Sequence, residues 1–245
     1  LLEVGKAVGL AKPKVNVEED EKGKGPAKHV ITLTHTLADG VQYKIKDITQ
    51  KDTSVRPPAP FITSSLQASA SSFLGFGAKR TMRAAQALYE GVRIKGEGQV
   101  GLITYMRTDS THLSMDAINQ VRTYIGNKFG EEYLPEKPKF YTSSNDSAQE
   151  AHEAVRPTDA GRHPDTLPAS LDEDQRKLYR LIWSRFVGCQ MTAAKWHRTE
   201  FYFERDDTPT GAVFKVAGRT LAFEGFYKAS GIPSSDSEQN LPKLS

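Results

Sequence analysis

An α+β multidomain fold is predicted for this chain: a mostly α-helical domain inserted into an antiparallel β domain. Three observations predict it. Apolar residues alternate at period two near both ends of the chain, they recur at helical spacing through the middle, and a proline-rich hinge separates the first pattern from the second. Strands, then helices, then strands place two halves of one β domain on either side of a helical one. The boundaries read this way are residues 1–56 for the first β half, 57–193 for the helical domain and 194–245 for the second β half.

Residues 12–28, rich in Lys, Glu, Gly and Pro, predict a linker or surface loop. Ile31, Leu33, His35 and Leu37 then share one strand face, opposite Thr32, Thr34 and Thr36. Asp39-Gly40 predicts a hairpin turn returning along Val41, Tyr43 and Ile45, and Arg56-Pro-Pro-Ala-Pro60 is the hinge. Thr63 or Ser64 is expected to cap a helix carrying Leu66, Ala70, Phe73 and Leu74, stopped at Gly75. A second helix, Lys79 to Glu90, presents Met82, Ala85, Leu88 and Tyr89 and stops at Gly91. Val100 to Thr104 reads as a short strand, and Ser114 caps a helix with Ile118, Val121, Ile125 and Phe129. Ser170 and Glu173 have capping-box spacing ahead of a longer helix through Leu178, Ile182, Phe186 and Cys189. Alternation resumes with Phe201 and Phe203, then Val213 and Val216, then Leu221, Phe223 and Phe226, with a turn over Asp206-Asp-Thr-Pro-Thr-Gly211.

A chain of 245 residues, 38% hydrophobic and 26% charged, is long enough to bury a real core. The net charge of +3 is too small to argue nucleic-acid binding by itself. One cysteine, Cys189, excludes an internal disulfide framework and a multi-cysteine zinc site. No apolar run approaches membrane-spanning length and the start is not a secretory signal, which points to the cytoplasm. The missing initiator Met leads us to expect a piece of a longer protein.

The stretch Thr104-Tyr-Met-Arg-Thr-Asp-Ser110 lies between a predicted strand and a predicted helix. In an extended segment Tyr105 and Arg107, two apart, point to one side. A tyrosine attacking a phosphodiester must act as phenolate, although its free pKa is about 10. A guanidinium beside it favours the phenolate, binds phosphate oxygens and stabilises transition-state charge. Asp109 is placed to orient Arg107 or a neighbouring helix end. A Tyr-x-Arg pair alone is common and usually structural.

Gly101-Leu-Ile-Thr-Tyr-Met-Arg-Thr-Asp-Ser-Thr111 closely resembles the active-site signature of bacterial type IA DNA topoisomerases. Further similar stretches follow the family's order: Pro58-Ala-Pro-Phe-Ile-Thr-Ser-Ser-Leu-Gln67, Leu74-Gly-Phe-Gly-Ala-Lys-Arg-Thr-Met82 with Ala85-Gln-Ala-Leu-Tyr-Glu-Gly91, and Gln149-Glu-Ala-His-Glu-Ala-Val-Arg-Pro-Thr158. The match is dense from Pro57 to Thr192 and weak before Gln42 and after Thr199. The resemblance implies a fragment holding a β arch and the helical tyrosine domain. It implies Tyr105 as the nucleophile that holds a DNA 5′ end as phosphotyrosine, while the other strand passes through the gap and the 3′ hydroxyl reverses the attack. Arg107 would bind and polarise the scissile phosphate, His152 would act in catalysis beside the site by binding DNA and shifting the reaction's pH profile, and Arg156 would contact backbone phosphate. Arg107, His152, Arg156 and Asp109 are the residues expected at the DNA.

The resemblance also implies Mg²⁺ in the full enzyme, held by an acidic domain ahead of this region through an Asp-x-Asp pair after a strand. Here the Asp-x-Asp is Asp172-Glu-Asp174 at a predicted helix start, where it complements the helix dipole, so this chain is expected to bind no metal. The fragment is accordingly expected not to relax supercoils alone. Its partner is expected to be single-stranded DNA at the cleavage site, with no membrane, as a monomer associated with the nucleoid. The rival readings are a tyrosine recombinase, a non-catalytic single-stranded DNA-binding module and an interaction scaffold. A recombinase gathers several Arg and His/Lys residues around a tyrosine near the end of its catalytic domain. Tyr89, Tyr124, Tyr133 and Tyr179 lack the Arg arrangement and are given structural roles. Trp183, Trp196, Phe201 and Phe203 are given packing roles rather than base stacking.

Overall fold

The computed structural model describes residues 5, 8–19, 28–94, 96–141, 153–206 and 212–231. In chain order the elements are strands β1 (Leu10–Glu19), β2 (His29–Leu37) and β3 (Tyr43–Val55), helices α1 (Thr63–Leu74) and α2 (Ala78–Glu90), strands β4 (Val92–Ile94) and β5 (Gly98–Val100), helices α3 (Met115–Phe129) and α4 (Glu173–Cys189), strands β6 (Ala194–Arg205) and β7 (Phe214–Phe223), and a last turn of helix α5 (Tyr227–Ser230). This is an α+β architecture. The chain divides into two compact units, one of residues 1–52, 197–220 and 238–245, the other of 53–196 and 221–237. No helix among the described residues is long and apolar enough to cross a membrane.

The strand-rich unit corrects two expectations. Residues 12–19 are not a loop: they belong to β1, which pairs antiparallel with β2 in the register Val15↔Leu33 and Val17↔Ile31. The charged composition hid a short alternation, Lys14-Val-Asn-Val-Glu18, whose backbone groups are satisfied by a partner strand rather than by water. Pro13 falls where the register shifts between Ala11 and Lys14, a bulge that tolerates a residue without an N–H. Asp39-Gly40 turns the chain, with Gly40 at φ 79°, but not as a hairpin. β2 has taken β1 as its partner, and β3 lies in a separate three-stranded sheet of order β3-β6-β7. Phe201 and Phe203 stack on one another along β6, ring centroids 6.3 Å apart, and are half-buried rather than core. The turn expected after Asp206 lies, for residues 207–211, outside the described residues.

The helical unit carries the main core. Leu66 and Ala70 of α1, Ala85 and Leu88 of α2, Ile118, Val121 and Ile125 of α3, and Leu178, Ile182 and Phe186 of α4 are all buried together. Each large apolar side chain so buried contributes about 1.5–3 kcal/mol. Phe73, expected on the inner face of α1, is instead 61% exposed. Gly75 stops α1 in the left-handed conformation at φ 67°. The starts of α1 and α4 differ from expectation. Ile62 is the residue before α1, and Ser65 reaches back so that its Oγ accepts the Ile62 N–H at 3.0 Å; Thr63 is left for another purpose. At α4 the capping box is Asp172 with Gln175, each side chain accepting from the other's N–H at 2.8 and 3.1 Å, two residues later than Ser170 and Glu173. An acidic cap complements the dipole better than a neutral one, and that favours the later start. Ser114 caps α3 as expected, its hydroxyl facing the Ala117 N–H. Trp183 and Trp196 are buried, and the Trp183 indole donates to the Ala160 carbonyl at 3.0 Å.

Candidate active site

The 101–110 segment follows β5 outside any named strand or helix, and from Tyr105 to Ser110 its residues alternate in exposure. Met106, Thr108 and Ser110 are buried, whereas Tyr105, Arg107 and Asp109 are exposed. The inward residues are apolar or small and bonded, and the outward ones are the polar residues that chemistry needs.

Backbone hydrogen bonds fix the segment on both sides of the tyrosine. Before it, the Leu102 N–H donates to the Leu88 carbonyl at 2.8 Å, and the Thr158 N–H donates to Leu102 at 3.1 Å. The Thr104 N–H donates to the Arg156 carbonyl at 2.9 Å. The Thr104 hydroxyl donates to Ala154 at 2.7 Å and accepts the Arg156 N–H at 3.0 Å. After it, Thr63 does the same work from the start of α1. Its N–H donates to the Thr108 carbonyl at 2.9 Å, and its hydroxyl accepts the Thr108 N–H at 2.9 Å. That hydroxyl lies 2.8 Å from the Met106 carbonyl, to which it donates. Two threonines, Thr63 and Thr104, thus hold the residues flanking Tyr105. A nucleophile held this way loses little freedom on reaching its substrate.

Glycine allows the approach to this segment. Gly91 sits at φ 92°, and a Cβ there would lie 2.4 Å from the Val100 carbonyl oxygen; a Cβ on Gly101 would lie 2.7 Å from the Tyr89 oxygen. The end of α2 therefore touches the strand entering the site backbone to backbone. This closeness brings Tyr89 to Tyr105, ring centroids 5.4 Å apart at 65°, an edge-to-face pair with both rings partly exposed. Tyr89 and Thr63 were not singled out from the sequence as site residues. They stand 16 and 42 positions from Tyr105 in the chain, and no local pattern links residues so far apart.

Of the other expected residues, Arg107 and Asp109 lie on the exposed side with Tyr105 and form no ion pair with each other. His152 lies outside the described residues. Arg156 is turned to protein groups: its guanidinium donates to Glu153 Oε2 at 2.5 and 3.2 Å and to the Pro157 carbonyl at 2.9 Å, and it packs 6.0 Å from the Phe186 ring centroid. In this structure Arg156 braces the segment whose backbone bonds Thr104.

Glu153 joins that brace to α3. Its Oε1 accepts the Ser114 N–H at 2.7 Å. Burial alone would raise its carboxyl, but the hydrogen bonds from Ser114 and Arg156 outweigh it and hold the group below the ordinary glutamate value. A carboxyl depressed in the folded state adds stability above its unfolded pKa and loses it as pH falls through the folded one. Glu153→Gln is therefore expected to melt lower than wild type at pH 7, with the gap closing as the pH falls below the ordinary glutamate range. Thermal melts across that range check it; a constant gap would mean that ionisation of Glu153 contributes nothing.

The other buried nucleophile candidates are occupied. Tyr141 and Tyr179 donate to the carbonyls of Cys189 and Arg162 at 2.7 and 2.8 Å, and burial pushes both phenols up. Burial pushes the Cys189 thiol up to about 12. Nor is a cluster that would hold a metal ion, three or more His, Cys, Asp or Glu together, found among the described residues. Asp172 caps α4, and Asp174 takes Arg80 through two hydrogen bonds of 2.6 and 2.7 Å.

The chemistry-bearing groups of this segment are the exposed Tyr105 and Arg107, two residues apart and flanked by residues that Thr104 and Thr63 hold in place. The chain matches the family model described as DNA topoisomerase over residues 9–245. It is 46% identical to DNA topoisomerase 1 of Campylobacter jejuni over 202 residues, 82% of this chain and 28% of that protein. It is 43% identical to DNA topoisomerase 1 of Escherichia coli over 224 residues, 91% of this chain and 24% of that protein. Full-length topoisomerase I from Thermotoga maritima superposes with a TM-score of 0.68 at 30% identity, over 98% of this chain and 40% of that one. The chain belongs to the bacterial DNA topoisomerase family, and it spans about a quarter of the length of the two sequence relatives.

Proposed function

We propose that this chain is the tyrosine-bearing part of a type IA topoisomerase, cutting and rejoining one DNA strand through Tyr105 so that another strand can pass and negative supercoils relax. The observation that carries the reading is the outward Tyr105 with Arg107 on the same side, both neighbours of the tyrosine being fixed by Thr104 and Thr63. The Tyr105 oxygen forms a bond to the phosphorus as the bond to the 3′ oxygen breaks. The proton leaves the phenol, and the departing 3′ oxygen gains one. Reversal uses the stored ester, so no ATP is consumed. Arg107 binds the non-bridging oxygens and offsets charge as it grows. Single-stranded DNA fits the requirement that a strand reach a fixed phenol. The 57–193 segment is read as an insertion into the β arch, and the protein as a monomer working at the bacterial nucleoid. Any Mg²⁺ would be held by residues outside this chain, which is why the chain alone should leave supercoils intact; relaxation by the purified chain would overturn that point.

The test is covalent capture in detergent with end-labelled single strands, the chain alone and with the expected metal-binding domain added. A 5′-phosphotyrosine keeps a 3′ label on the protein and releases a 5′ label, and Tyr105→Phe abolishes the adduct while leaving strand affinity within about twofold. Retention of the 5′ label would instead indicate recombinase-type chemistry. An adduct surviving in Tyr105→Phe would dismiss Tyr105. Binding without any adduct would leave a non-catalytic single-strand module.

A further inference from the structure

A cavity of about 1000 Å³ in the helical unit contains no residue of the Tyr105 segment. Its walls include Arg56, Lys139, Phe140, Tyr141, Lys195 and Phe223. Its charge is one-sided, three cations against the single carboxylate of Glu132. Arg56 and Lys195 are exposed and make no ion pair among the described residues. Arg56 is also close enough to disfavour the charge on Lys139, whose ammonium burial already holds below its ordinary value. Uncompensated cations held near one another favour an anion.

The wall between these cations is built, not loose. Gln190, fully buried, accepts the Lys139 N–H at 3.0 Å and donates to the Lys139 carbonyl at 2.7 Å. The Lys139 ammonium donates to the Met191 carbonyl, and the Tyr141 phenol donates to the Cys189 carbonyl at 2.7 Å. Between these two anchored residues Phe140 is 67% exposed, the most exposed large hydrophobic side chain among the described residues. It has no aromatic partner there. Leaving a phenylalanine in water on a rigid wall forgoes the burial that drives most such rings inward, and this one stands beside free cations.

We propose that this cavity is a second DNA contact, which takes a nucleotide unit of single-stranded DNA with the base stacked on Phe140 and the phosphate held by Arg56 and Lys195. A stacking ring next to cations is the arrangement that binds single strands without reading sequence. A duplex keeps its bases stacked on each other and offers no free face, and a simple anion has no use for the ring. The inference rests on DNA being the substrate of the Tyr105 site and adds a contact point that the chemistry does not use.

The experiment measures affinity of the chain for fluorescent oligothymidylate and for an abasic strand of equal length, with inorganic phosphate as competitor. Phe140→Ala is expected to weaken oligothymidylate binding about tenfold and abasic binding less than twofold, with Phe140→Trp restoring the loss. Arg56→Gln with Lys195→Gln is expected to weaken both strands and to lower the slope of log affinity against log salt by about 1.4. Unchanged oligothymidylate affinity in Phe140→Ala, equal losses for both strands, or no binding of either strand would overturn the proposal, as would displacement of both strands by millimolar phosphate alone. Each variant is also run through covalent capture. A missing Tyr105 adduct with this affinity pattern intact removes the nucleophile reading and leaves the contact; a normal adduct with Phe140→Ala binding unchanged removes the contact and leaves the nucleophile.

Discussion

Arg107→Ala is expected to slow formation of the Tyr105 adduct by about 10²–10³-fold while weakening single-strand affinity by less than about tenfold. Arg107 is exposed and makes no ion pair among the described residues, so its removal orphans no described partner and should not disturb the fold. In the proposed mechanism its contribution is directed at the charge that develops on the phosphate oxygens, which is larger in the transition state than in bound DNA. An interaction of that kind is lost from the rate and not from binding. Arg107→Lys keeps the charge and loses the planar fork, and should recover only part of the rate. Single-turnover adduct formation against affinity, measured side by side, decides the matter. Equal losses in both would make Arg107 a binding residue.

Gly91→Ala is expected to destabilise the helical unit by about 3 kcal/mol or more, a fall in melting temperature on the order of 10 °C. Two costs add. Gly91 occupies φ 92°, ψ 171°, a region that is nearly glycine-only. The new methyl would also lie 2.4 Å from the Val100 oxygen and 2.7 Å from the Gly101 nitrogen, so backbone must move. The backbone that moves leads into Tyr105. A calorimetric scan gives the stability, and adduct formation at a temperature where the variant is still folded gives the placement. Gly96→Ala is the control: its φ is 88°, yet nothing lies within 4 Å of a Cβ there, so it should show the backbone cost without the collision. Equal effects of the two substitutions would rule out close approach as the reason for Gly91.

The helices were legible because burial and period coincide: Leu66, Ala70, Ile118, Val121, Ile125, Leu178 and Ile182 sit inward where their spacing put them. The outward placement of Tyr105 and Arg107 was legible from their separation of two in an extended stretch. Strand partners were not. Asp39-Gly40 has turn chemistry, but turn chemistry does not choose between closing a hairpin and passing to another sheet, and the competing partner, β1, was masked by its lysines and glutamates. Ser114 was legible as the cap of α3, but the starts of α1 and α4 fall one or two residues from the hydroxyls that advertise a cap, because Ser65 bonds back to Ile62 at one and the acidic Asp172 outcompetes Ser170 at the other. Thr63 shows the limit most clearly. It looked like a cap and is instead a clasp on residues 43 and 45 positions away, and nothing local in the chain announces such a bond.

The tyrosine's position depends on bonds from both directions along the chain: from residues 61–63 already made, and from 154–158 still to come. A chain growing on the ribosome would therefore display Tyr105 some fifty residues before the segment that seats Thr104 has been synthesised. Until then Tyr105 has its sequence neighbours but lacks the bonds that fix Thr104 beside it, so the proposed site would take its geometry only once residues 154–158 are in place.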